Sequence, residues 1–236
     1  MKKKARGILP LLLAITWFGC SSAPKTVSVT PPPKTKTEKP VKPEPVKAAV
    51  IRSVDNFLYN YQEGTEAGSG QKVSTVLYNE KGQMIETDIY SLQGEINEKY
   101  TYAYDSKGNR VETIKYDANG KVDRRYEYVY DNEGKKIKAI AYKTNGKVDK
   151  TYTYINDSDG NPEQEIWYDS AGKKEQRFAY KYDSEGRKIE AMNYGPDDKL
   201  HFRFVYKYDS KGNLLEELRY NSSGTPISLT KSVYNY

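Results

Sequence analysis

Catalysis by side chains needs nucleophiles, bases or metal ligands close together, and this chain is poor in all three. Its 236 residues hold one histidine, His201, and one cysteine, Cys20. Histidine-based triads and His-rich metal sites are therefore excluded. Glu163 and Glu165 lie two apart, which on a strand sets both carboxylates on one face, where such pairs stay solvated. Asp157-Ser158-Asp159-Gly160 has the outline of a calcium loop but lacks the longer ligand run and the downstream acid that such a loop needs. No glycine loop suited to phosphate is present, because the glycines of the repeat region close hairpins. Neither a cofactor nor a metal is implied. Tyrosine is what the chain has in quantity, 23 in all. A tyrosine joins a flat apolar ring to a polar tip, which suits recognition of sugars or peptides. Tyr102, Tyr128, Tyr154, Tyr180 and Tyr206 recur every 26 residues and make the candidate ligand face. The same rings would also stack across strands to hold a thin sheet together, each pair worth ~0.2–1 kcal/mol.

The elements that must position these rings are written in a turn phrase. Tyr104-Asp105-Ser106-Lys107-Gly108-Asn109 recurs in register at Tyr78, Tyr130, Tyr182 and Tyr208, with a diverged copy at Asn156. Gly82, Gly108, Gly134, Gly160, Gly186 and Gly212 are spaced by 26. A second series, Gly94, Gly120, Gly146, Gly172 and Gly224, lies between them, with Asp198 standing in once. Asp/Asn-x-x-Gly is the composition of a type I turn followed by a positive-φ residue, a common hairpin connection. The sequence thus predicts an all-β protein, a single curved or coiled antiparallel β-meander of 26-residue two-strand repeats. Six repeats fill 74–236 as about thirteen strands of ~8–10 residues. Residues 50–73 form a cap, as an opening strand or a short helix, with Gly64, Gly68 and Gly70 in a loose turn.

If Tyr104 faces Arg110, continued pairing would set Tyr102 against Glu112 and Tyr100 against Ile114. Every even-numbered residue would then share one face. That face would carry 21 of the 23 tyrosines, all but Tyr59 and Tyr61. Beside them would stand Ile114, Ile140, Ile166, Met192 and Leu218, with Phe178, Phe202 and Phe204. Arg110, Glu112, Lys138, Gln164 and Glu190 would keep it partly wet. His201 falls on the other, more polar face. The last strand, ending Tyr234-Asn235-Tyr236, would leave an unpaired edge open to strand addition.

The net charge of +6 belongs to the amino-terminal end. From Ile51 onward there are 28 basic and 30 acidic residues, so the repeats lack the footprint of nucleic-acid binding. Residues 1–20 read as an export signal: Lys2, Lys3, Lys4 and Arg6, an apolar run, then Gly19-Cys20-Ser21-Ser22. Gly19-Cys20 resembles the lipobox of bacterial lipoproteins, although Trp17 stands where leucine is usual. The resemblance implies lipidation of Cys20, for example by palmitate, and anchoring to a membrane of the bacterial cell envelope, the outer membrane first. Residues 21–49 are a Pro/Lys/Thr tether that cannot bury enough surface to order itself.

The phrase Tyr-x-Tyr-Asp-Ser-Lys-Gly-Asn is similar to the YD repeat of the Rhs family, a likeness that runs from Ser74 to the end of the chain. In that family the repeats build a sheet strip that spirals into a hollow shell. Here the repeats are too few for a cage and no toxin segment follows, so the resemblance implies a strip of sheet and an envelope setting. MORN-type repeats also use Tyr and Gly in short hairpins, but with a shorter period. The expectation is a non-catalytic envelope lipoprotein that presents an aromatic sheet for binding or scaffolding, with a glycan or protein ligand. Its rivals are an immunity-type partner of a toxin, or a glycan-acting enzyme that would need Glu112 or Glu190 paired with another acid in a cleft.

Overall fold

The computed structural model describes residues 50–62 and 65–236. The export signal, Cys20 and the tether lie outside the described residues. Each alternating run of the sequence becomes a strand. In order these are β1 (Ser53–Gln62), β2 (Thr65–Tyr78), β3 (Met84–Tyr90), β4 (Ile96–Tyr104), β5 (Arg110–Asp117), β6 (Val122–Tyr130) and β7 (Lys136–Lys143). There follow β8 (Val148–Asn156), β9 (Pro162–Asp169), β10 (Lys174–Tyr182), β11 (Lys188–Tyr194), β12 (Leu200–Tyr208), β13 (Leu214–Asn221) and β14 (Pro226–Asn235). Each strand pairs antiparallel with its neighbours, and β14 returns to β1, so the fourteen strands close into a barrel.

Closure corrects two expectations. The sheet is not an open or coiled strip, and the last strand is not a free edge. Ser53 pairs with Asn235 and Asn60 with Ser228 along the seam. A closed wall has no unpaired rows of N–H and C=O groups, which removes the aggregation hazard of an edge. The cap of 50–73 is β1 and the first part of β2, and not a helix. Gly68 and Gly70 lie inside β2 and not in a turn, with a register irregularity opposite Leu58 and Asn60. Gly64 lies outside the described residues.

The turns follow the chemistry of their sequence. In Asp105–Asn109 the carboxylate Oδ1 accepts the N–H groups of Lys107 and Asn109 at 2.9 and 2.8 Å. The Gly108 N–H donates to the Asp105 carbonyl at 3.1 Å. Gly108 then takes φ 88, and Asp198 takes φ 57 where the series lacks a glycine. Asp157 closes the same turn through Asn161, so its carboxylate is occupied by the backbone as an ordinary turn acid.

Each turn also sets a bulge, and the bulge overturns the parity expectation. Tyr104 does pair with Arg110, but Ala103 then pairs with Glu112 and Tyr102 with Thr113, leaving Val111 extra. The second type of turn does the same: Tyr116 pairs with Val122, but Lys115 with Arg124. One added residue exchanges the faces of everything beyond it. Past the bulge, even numbers therefore point inward on β4, β6, β8, β10, β12 and β14, and outward on β3, β5, β7, β9, β11 and β13. Tyr90, Tyr116, Tyr142, Tyr168, Tyr194 and Tyr220 lie on the outer face. So do Ile114, Ile140, Ile166, Met192 and Leu218, with Glu112, Lys138, Gln164 and Glu190. Of the polar residues expected beside the tyrosines, only Arg110 is inside.

The interior is lined more than it is filled. Ala141 is 0 % and Thr113 1 % exposed, yet most inward tyrosines keep part of their surface. Strand contacts follow the order of the wall. Hydrogen bonds and ring contacts among the described residues join neighbouring or next-neighbouring strands. Tyr126, Tyr152, Trp167, Phe178 and Tyr180 run along it ring to ring, with centroids 5.2–6.4 Å apart. Eight strands close around a space that side chains fill, and sixteen leave an aqueous channel. Fourteen strands lie between these cases.

Candidate functional site: the aromatic and cationic lumen

The turn phrase builds the site from its first residue. Its tyrosine points inward at the end of a strand, and the residue two after its glycine points inward beside it. The hydroxyls of Tyr104, Tyr130, Tyr182, Tyr208 and Tyr234 each donate to a carbonyl twenty residues earlier, at Met84, Arg110, Pro162, Lys188 and Leu214, over 2.7–2.9 Å. In the diverged copy Asn156 does this with its side-chain amide, to Lys136 at 2.9 Å. Each acceptor carbonyl belongs to the residue just before a bulge, where the ladder is broken. The tyrosine of the phrase is therefore a structural rivet between successive repeats.

One step deeper lies the ring of Tyr102, Tyr128, Tyr154, Tyr180 and Tyr206. The structure brings these five candidate residues to one inner level, alternating round the wall with Thr87, Thr113, Ala139, Glu165, Ala191 and Glu217. Tyr102 bonds Thr87 and Tyr128 bonds Thr113, both at 2.9 Å. Ala139 offers Tyr154 nothing, so its hydroxyl turns to Glu165 at 3.3 Å. Glu165 also accepts Tyr180 at 2.9 Å and the Trp167 indole at 2.8 Å. The Tyr206 hydroxyl is buried and faces Glu217 without a well-formed hydrogen bond.

Above this ring sit three cations, Arg110 on β5, Lys136 on β7 and Lys188 on β11. Each rests on tyrosine faces. The Arg110 guanidinium carbon is 4.4 Å from the Tyr102 centroid, Lys136 Nζ is 3.9 Å from Tyr154, and Lys188 Nζ is 4.1 Å from Tyr180. Such contacts are worth ~0.5–2 kcal/mol according to how far they are desolvated. Among the described residues no carboxylate comes within ion-pair distance of any of the three. Arg110 is 5 % exposed, and its Nε has no partner. Burial pushes the ammonium groups of Lys136 and Lys188 down to about 8, against the partial support of Glu165 for both and Glu217 for Lys188. Burial pushes the Glu217 carboxyl up to about 7, with Lys188 pulling it back. The Tyr154, Tyr180 and Tyr206 hydroxyls are held far above their ordinary value by burial and the nearby glutamates, so they remain donors. Lys136, Lys188, Glu165 and Glu217 keep solvent-accessible surface despite their depth, as side chains lining an open lumen do.

Glu165 is the residue that sequence reasoning misplaced. It does not share a face with Glu163, because Glu163 is the bulge residue and lies exposed outside. Lys136 and Lys188 were passed over, although the 26-residue register makes them the counterparts of Arg110. Glu112 and Glu190, which an acid pair in a cleft would need, are on the outer wall. There Glu112 meets Arg125 at 3.6 Å and Glu190 pairs with Arg203 and Lys181. His201 is exposed at a bulge. Among the described residues no three His, Cys, Asp or Glu side chains converge as metal ligands.

The outer wall carries ion pairs at mid-strand, such as Lys99–Glu86 at 2.7 Å, besides those of Arg125 and Arg203. A lipid-facing barrel carries an apolar band there and keeps its polar groups inside. The mid-strand ion pairs thus interrupt any continuous apolar band on this wall. No helix among the described residues is long and apolar enough to cross a membrane.

No family model matches the chain, and no curated protein matches it. Solved structures do resemble it in part. A porin-like protein from Bacteroides uniformis aligns with a TM-score of 0.42 and 10% identity over 78% of this chain and 98% of its own. A chain of the Photorhabdus luminescens Tc holotoxin pore aligns with a TM-score of 0.32 and 18% identity over 68% of this chain and 10% of its own. A putative outer membrane lipoprotein-sorting protein domain from Vibrio parahaemolyticus aligns with a TM-score of 0.33 and 11% identity, over 78% and 84%. All three TM-scores lie below 0.5, and none of these likenesses places the chain in a family.

Proposed function

We propose that this chain is a non-catalytic lipoprotein of the bacterial cell envelope that holds a ligand in the lumen of its barrel. One observation carries the binding half of the reading: a ring of five tyrosines on one inner level, with buried cations above it that have no counter-ion. Hydroxyls fixed by Thr87, Thr113 and Glu165 hold the rings in place before any ligand arrives, which lowers the ordering cost of binding. The envelope half rests on the apolar run ahead of Gly19-Cys20, and on an outer wall without a continuous apolar band, which needs a separate anchor. The chain enters at Ser53 and leaves at Asn235 on the same end of the barrel as the YD turns.

Two measurements test the reading. In cells fed an alkyne-tagged fatty acid, the chain should take up label and fractionate with membranes. Cys20→Ser should lose both, and unchanged labelling would refute the anchor. On glycan and peptide arrays the full chain should bind a limited set of ligands through Tyr128 and Tyr154. Binding that survives both Tyr128→Ala and Tyr154→Ala would remove the lumen as the site.

A further inference from the structure

We infer that the lumen selects an anionic ligand, one whose acidic group meets Arg110, Lys136 and Lys188 while its apolar or ring portion lies on the tyrosines. The inference rests on the lumen-binding reading above and adds the charge of the ligand. Three cations face the same space from β5, β7 and β11, at the level nearest the YD turns, with Pro162 at the same register position of β9. Their contacts are tyrosine rings, and rings stabilise a cation without neutralising it. Glu165, between Lys136 and Lys188, supports both electrostatically but touches neither, because its oxygens accept Tyr154, Tyr180 and Trp167; it is one negative charge against three positive ones. Glu217 lies beyond Lys188 and is half held in its neutral form by burial. The level therefore carries an excess of positive charge facing the lumen, where one carboxylate, phosphate or sulfonate would restore balance. Nearer the other end of the barrel the inward charges are mixed: Arg219 lies over the Phe202 ring at 3.7 Å with an unpartnered Nε, while others are paired. Lys115 meets Glu98 at 2.8 Å, and Arg124 meets Asp149 at 2.9 Å. Arg110, Lys136 and Lys188 differ from these in lying together at one level with no carboxylate in ion-pair contact.

A matched pair of probes tests this. 1-Anilinonaphthalene-8-sulfonate and N-phenyl-1-naphthylamine share one ring skeleton and differ by the sulfonate. Binding is read in the full chain carrying Trp17→Phe, by energy transfer from Trp167, the remaining indole, which lies in the lumen wall. At pH 7 and low salt the sulfonate should bind saturably and at least tenfold tighter than the neutral probe. Lys136→Met with Lys188→Met should erase that preference, bringing the sulfonate to the affinity of the neutral probe. Both changes relieve buried charge, so the barrel should stay folded, as circular dichroism will check. The preference should also weaken as pH rises past about 8. Lys136 faces Arg110, Tyr128, Tyr154, Glu165 and Lys188; Lys188 faces Tyr180, Glu165 and Glu217. Equal binding of the two probes, or a preference that survives in the double variant, overturns the inference and leaves the lumen reading standing. Transfer to neither probe overturns both.

Discussion

Replacing Lys136 with methionine should make the barrel more stable, although it deletes a contact. The Lys136 ammonium titrates at about 8 in the folded chain, against 10.5 when free. At ~1.4 kcal/mol per pH unit, holding it charged costs the fold roughly 3 kcal/mol at pH 7. Lys136→Met removes that cost and keeps much of the side-chain length. It also forfeits the cation–π contact with Tyr154 at 3.9 Å, worth about 1 kcal/mol, so the net gain is about 2 kcal/mol. The sign with pH is fixed by proton linkage. Between pH 8 and 10.5 the unfolded chain binds more protons at this site, so the wild type gains stability as pH rises. The advantage of the variant should therefore be full at pH 7 and almost gone by pH 10.5. Urea denaturation of both chains at pH 7 and pH 10, followed by Trp167 fluorescence, reads the difference. Destabilisation at pH 7, or a gain that does not depend on pH, would refute the argument that this lysine is buried without a partner.

Glu217 has the opposite sign. Its carboxyl, raised to about 7 by burial, weakens the fold as pH climbs from about 4.5 to 7, so Glu217→Gln should raise Tm at pH 8 and leave it nearly unchanged at pH 4. The rivet between repeats predicts that Tyr130→Phe, which strips the donor from the Arg110 carbonyl, costs about 1–2 kcal/mol in chemical denaturation. Its converse is Asn156→Tyr, which restores the phrase and removes the unpartnered Asn156 Oδ1; Tm should not fall. Closure is tested by Thr230→Pro, in the middle of β14 where Leu58 and Glu217 pair on either side. Proline there removes a ladder donor, so hydrogen exchange should rise first in β1 and β14 and size-exclusion profiles should show self-association through the opened edges.

The hairpins were legible because their chemistry is local. An Asp or Asn that accepts two backbone N–H groups and a glycine at φ 73–88 need only a few consecutive residues, so the six-fold register of Gly82 to Gly212 gives turns, strand lengths and antiparallel order. The inward ring of Tyr102 to Tyr206 was also legible, since five even positions on five even-numbered strands share a side whatever the bulges do. Which side the remaining even residues take was not. A bulge at Val111 or Asp123 adds one residue to one strand and exchanges the faces beyond it, so Tyr116 and Ile114 point out while Thr113 and Lys115 point in. Barrel closure lies further still from local sequence. The seam joins Ser53 to Asn235 across 182 residues, and whether those ends meet depends on the accumulated twist and stagger of fourteen strands. Only that closure turns Arg110, Lys136, Glu165 and Lys188, each on a separate strand, into neighbours round one enclosed space. Sequence alone therefore set the repeat and its tyrosines, while the tertiary structure decided that they surround a lumen and that its charge is unbalanced.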